Sequence, residues 1–65
     1  MKTEYDERAD LLYLRFDSRP QDVTNRRVSQ DIVRDLGKEE KIVGIEIMNA
    51  SKNVDLTQVR PKKVG

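Results

Sequence analysis

The chain has neither cysteine nor histidine among its 65 residues. Without cysteine there can be no disulfide, no thiolate metal site and no thiol nucleophile. Without histidine, the commonest metal ligand and the commonest general base are also missing. Ser18, Ser29 and Ser51 therefore have no imidazole to activate them, and no glycine-rich phosphate loop is present. An excess of one charge is lacking too, because 13 basic residues nearly balance 12 acidic ones. That balance argues against a dedicated polyanion binder. No stretch approaches the ~18 apolar residues of a membrane span. An enzyme is not expected, nor is a cofactor, a metal or a membrane partner.

The length is that of one domain, near the lower limit of what folds without a staple. Below about 70–80 residues a single core rarely supplies more than ~3–5 kcal/mol. Residues 1–51 read as a β-sheet core. Residues 52–65 read as a tail, either a short helix or extended, with a mobile end. The opening Met1–Asp6 lacks the apolar centre of a signal peptide, so the expected location is cytoplasmic.

The expected fold is α+β and mostly β. Leu11–Phe16 is a strand of aliphatic and aromatic residues that ends at the turn formers Asp17-Ser18-Arg19-Pro20. Lys2–Tyr5 precedes it as a hairpin partner. Arg26–Asp35, a charged turn at Leu36–Lys41 and Ile42–Met48 repeat the plan. Short connections predict a four-stranded antiparallel meander of two hairpins. Asn49-Ala50-Ser51 is placed to cap a short helix over Lys52–Val59, which Pro61 would stop.

One physical mismatch stands out. Leu12, Leu14 and Phe16 share one face of their strand, while Leu11 and Tyr13 occupy the other. Ile42 and Met48 oppose Val43, Ile45 and Ile47 in the same way. Two faces therefore require burial, and one short helix can cover only one of them. At ~25 cal/mol per Å², leaving several large side chains wet forgoes multiple kcal/mol. A homodimer, or a small protein partner, is expected to supply the missing cover. The expected association surface is Leu11, Tyr13 and Arg15 with Ile42, Glu46 and Met48.

Two stretches resemble a small prokaryotic family catalogued as domain of unknown function 2283. Tyr5–Phe16 is similar to its Y-D-x-x-A-D-x-L-Y-[IL]-x-[LF] opening, and Ile42–Ser51 to its I-V-G-I-E-I-L-x-A-S close. Glu40 stands where that family commonly has glycine, and Gly37 lies three residues earlier. The resemblance implies the same small β-rich fold and no established activity. Some relatives occur beside small toxin-like proteins, which suggests an antitoxin-like role by analogy alone.

The remaining polar groups have structural readings. Asp6 and Asp10 flank the first turn, where aspartate bonds nearby amides. Their spacing is not that of a calcium loop. Glu46 lies in the most apolar strand near Asp31 and Asp35. Two carboxylates brought together can share a proton, but an ion pair with Arg34 or Arg15 is the expected arrangement. Arg26-Arg27 and the tail residues Arg60, Lys62 and Lys63 are short basic clusters. The tail trio underlies the alternative reading, a weak nucleic-acid-binding accessory protein.

Overall fold

A computed structural model describes residues 1–59 in full, together with the strand backbone of 62–64. The strands are β1 (Lys2–Asp6), β2 (Leu11–Arg15), β3 (Thr24–Arg27), β4 (Ile32–Leu36), β5 (Ile42–Met48) and β6 (Lys62–Val64). Two single-turn helices, α1 (Ala50–Asn53) and α2 (Leu56–Val59), separate the last two strands. All six strands join one sheet in the order β3-β4-β5-β2-β1-β6. β1 to β5 pair antiparallel, and β6 lies parallel to β1.

The mostly-β class is as expected, but the simple meander is not. β2 pairs with β5, so the second group of strands inserts beside the first hairpin in reverse order. The reason is burial. β2 and β5 are the most apolar strands, and the sheet centre is the only place that pairs both of their edges. β3, whose four residues are all exposed, goes to the rim. Five strands pair antiparallel where four were expected, because the stretch 26–35 folds back on itself. The amides of Val28 and Ser29 both donate to the Ile32 carbonyl (2.8 and 3.3 Å).

The tail helix is likewise split. Val54 is extended (φ −139, ψ 142). Asp55 then opens α2 by accepting from the Thr57 amide and hydroxyl (3.1 and 2.6 Å). Asn49 occupies the cap position of α1 in a left-handed conformation and makes no side-chain cap. Its amide group instead donates to Asp31 (3.0 Å). In the β4–β5 turn, Glu39 and Glu40 both have positive φ (60 and 61). That is the region where glycine avoids the Cβ penalty, so both glutamates pay it.

Opposed residues in an antiparallel pair share a face, so the register sorts the side chains. Tyr5, Leu12, Leu14, Ile32, Ile45 and Ile47 fall on one face, the apolar one, along with Arg26 and Arg34. Glu4, Tyr13, Glu46, Asp35, Arg15 and Asn25 fall on the other, the polar one. Among the described residues only Leu12, Leu36, Val43 and Ala50 are buried apolar side chains. Leu14, Ile32, Ile45 and Ile47 remain half-buried, and Phe16 is 46% exposed. No described helix is long and apolar enough to cross a membrane.

Candidate functional site

The polar face carries the densest group of titratable side chains. Gly44 in β5 is the residue that makes room for it. A Cβ there would stand 2.5 Å from the Tyr13 hydroxyl and 3.0 Å from Cζ. The absence of a side chain lets the Tyr13 ring lie across β5 toward β4. Asp35, directly opposite Gly44, is only 5% exposed. Tyr13 hydrogen-bonds to Asp35, and Asn25 Nδ2 donates to Asp35 Oδ1 at 2.5 Å. The same amide reaches Glu46 Oε2 at 3.4 Å. Arg15 stands over the Tyr13 ring, 5.0 Å from its centroid, as a cation–π contact.

Glu46 lies beside Asp35, and the Asn25 amide reaches both carboxylates. Burial and the neighbouring Asp35 charge together push the Glu46 carboxyl above its ordinary range. Burial, followed by the bond to Asp35 and its charge, raises the Tyr13 phenol, while Arg15 pulls the other way. The expected ion pair to Glu46 is not formed. Register places Arg34 opposite Ile45, on the other face, and Arg15 is held over Tyr13. The described ion pairs are Arg19–Asp17 (2.6 Å) and Arg26–Glu40 (3.6 Å).

Two open clefts flank Tyr13. One of about 380 Å³ is lined by Glu4, Asp6, Leu11, Tyr13, Asp35 and Glu46. The other, of about 430 Å³, lies under the 17–23 connection beside Arg15 and Asn25. No group of three or more carboxylates among the described residues is arranged to hold a metal ion. Chemically the cluster places two carboxylates and a phenol around one amide donor, Asn25.

Of the residues expected at an association surface, Leu11, Tyr13, Arg15, Glu46 and Met48 do share this face. Ile42 lies past a register shift, opposite Leu36, and is 42% exposed. Arg60 lies outside the described residues. Lys62 and Lys63 are described only as strand backbone beside β1. Asn25 was not singled out from sequence, because its strand was not separated from β4.

A second polar group ties the β1–β2 turn to the segment that follows β5. Asp10, itself at φ 51, accepts from the Tyr5 hydroxyl (2.7 Å), the Ser51 amide (3.0 Å) and the Ser51 hydroxyl (2.7 Å). The Asp10 carbonyl accepts from the Ala50 amide (2.9 Å). The Ser51 and Tyr5 bonds hold the Asp10 carboxyl below its ordinary range. The Tyr5 phenol is pushed up to about 12, chiefly by its bond to Asp10.

Residues 2–51 match a family model described as protein of unknown function (DUF2283). The chain belongs to that family. No curated protein and no solved structure matches it. Tyr5, Asp10, Ala50 and Ser51, drawn from the opening and closing stretches of the DUF2283 resemblance, all meet in the Asp10 clasp. In this DUF2283 chain those stretches thus encode a joint between the first hairpin and the end of β5. Asp6 has an equally local task, accepting from the Arg8 and Ala9 amides (2.9 and 3.3 Å) to form the β1–β2 turn.

Proposed function

We propose that this chain is a protein–protein interaction module, not an enzyme, and that a second polypeptide closes the apolar face of its sheet. The observation that carries this reading is that Leu14, Ile32, Ile45 and Ile47 share one face of the sheet and are only half-buried, with the exposed Phe16 two residues beyond Leu14.

The smallest assembly of this kind is a homodimer. An antitoxin-like pairing with a small toxin-like protein is another form of the same reading. Light scattering at micromolar concentration, with native mass spectrometry of the chain recovered from its source cells, tests it. A mass above one copy is expected. A lone chain from both measurements, with the Ile45 and Ile47 side chains inaccessible to solvent in it, would refute the reading.

A further inference from the structure

Two of the chain's three glycines stand where the backbone does not call for glycine. Gly44 lies within a strand, and Gly37 has φ −99. What each provides is room. A Cβ at Gly44 would strike the Tyr13 hydroxyl, and one at Gly37 would collide with Gln21 Oε1 and stand 2.8 Å from Val43 Cγ1. Tyr13, Gln21 and Val43 are all walls of one cleft, that of about 430 Å³ under the 17–23 connection. Small-molecule sites span roughly 300–1,000 Å³. The connection above the cleft is polar yet tied down. The Phe16 and Asp17 amides both donate to the Val43 carbonyl (2.8 and 3.1 Å). Asp17 accepts from the Arg19 amide (3.1 Å) and from two nitrogens of its guanidinium (2.9 and 2.6 Å). Gln21 Nε2 donates to the Arg19 carbonyl (3.3 Å).

Four charged residues line this cleft, and three of them are engaged within the chain. Arg19 and Asp17 neutralise one another. Asp35 is nearly buried and is met by Asn25 Nδ2 and by Tyr13. Arg15 is the exception. The residues directly opposite it are Lys2 in β1 and Gly44 in β5, and neither can accept from it through a side chain. Its guanidinium stacks on Tyr13 and makes no hydrogen bond or ion pair with the described residues. Glu4, Asp6 and Glu46 line the other cleft instead. One unpaired planar fork beside Pro20, Val23 and Val43 matches one carboxylate on a short apolar body. A phosphate would bring more negative charge toward Asp35. We propose that this cleft binds a small organic monocarboxylate, gripped by the fork of Arg15. The cleft lies on the face opposite the one proposed to meet a second polypeptide, so the two readings stand or fall separately.

The test is an NMR titration of the isotope-labelled full chain with butyrate as the probe. Butylammonium, butyramide and inorganic phosphate are run beside it. Butyrate is expected to give saturable shifts in the Arg15 Nε–H and in the backbone amides of the 17–23 connection. Butylammonium and butyramide should give none, and phosphate should bind at least about tenfold more weakly. Arg15→Gln should weaken butyrate at least about tenfold, as loss of a charged hydrogen bond does. Arg15→Lys, which keeps the charge but not the fork, should fall between the two. Arg27→Gln, on the same face but outside the cleft, should leave the affinity unchanged. Shifts that do not saturate, that are as large at Arg27 as at Arg15, or that phosphate matches would overturn the site. So would unchanged butyrate affinity in Arg15→Gln. The comparison of four probes uses the unaltered chain, so it decides the matter even if a variant fails to fold.

Discussion

Replacing Glu46 by glutamine should stabilise this protein at neutral pH, and the gain should vanish in acid. In the folded chain burial and the neighbouring charge of the nearly buried Asp35 both disfavour the ionised Glu46 carboxyl. Glutamine removes the like charge and offers Asp35 a donor. Adjacent-strand charge pairs are worth roughly 0.2–1 kcal/mol. For a chain of this length, 1 kcal/mol shifts the melting temperature by about 4–8 °C. Glu46 is half-buried, so solvent screening keeps the effect inside that range. The sign follows from proton binding. The folded-state pKa of Glu46 lies above its ordinary value of 4.5. Between the two, the folded state holds a proton that the unfolded state has lost. Wild-type stability therefore falls as pH rises through that window, and is restored below it. The lowered carboxyls of Asp10, Asp17, Asp31 and Asp55 weaken the fold in acid, but they do so in both proteins and cancel in the difference. Urea melts followed by far-ultraviolet circular dichroism from pH 4 to 8 measure it. A variant less stable at pH 7, or a difference that does not change with pH, would refute the like-charge pairing.

Leu12 is 1% exposed, so Leu12→Ala should cost about 2–5 kcal/mol. A core this small supplies only ~3–5 kcal/mol, and chemical denaturation should find much of the variant already unfolded in water. Glu40→Gly should relieve the positive φ at that turn and stabilise by about 1 kcal/mol; thermal melts check this, and no gain would mean that the turn is not strained. Gly44→Ala should push the Tyr13 ring off β5 and away from Asp35. The Tyr13 phenol, followed by NMR titration, should then fall back toward 10. Asp10→Asn should destabilise the chain and bring the Tyr5 phenol down from about 12 toward 10, which the same titration reads.

How legible this molecule was depended on what each residue's information is local to. β2 and β5 were visible because alternating aliphatic residues need no partner to declare themselves. The β1–β2 turn was visible because Asp6 bonds amides two and three residues on. The β3–β4 hairpin was not, because neither Ser29 nor Gln30 is a strong turn signal. Its reversal is made by backbone bonds to Ile32. Strand order was missed for a different reason. A meander is the cheapest path for the chain, but β5 gains more by pairing with β2, and that comparison is between distant segments. The polar cluster was half visible. Glu46 and Asp35 were both noted, but their approach depends on register, and the hole at Gly44 that admits Tyr13 has meaning only once the strand opposite is known.

The same topology bears on where the proposed partner would attach. A sheet can grow from an edge or be covered on a face. β3 is the edge whose side chains are described, and it has only four residues, all exposed, of which two are Arg26 and Arg27. Short, charged edge strands resist pairing with another strand. A second copy added antiparallel to β3 would bring arginines toward arginines. β5 and β2 cannot pair further, because both of their edges are taken. The sheet's other resource is its aliphatic face, where Leu14, Ile32, Ile45 and Ile47 are half-buried. There the hydrophobic gain scales with surface removed from water and needs no free backbone groups. On the proposed reading, association through the face rather than the rim follows from what the rim repels.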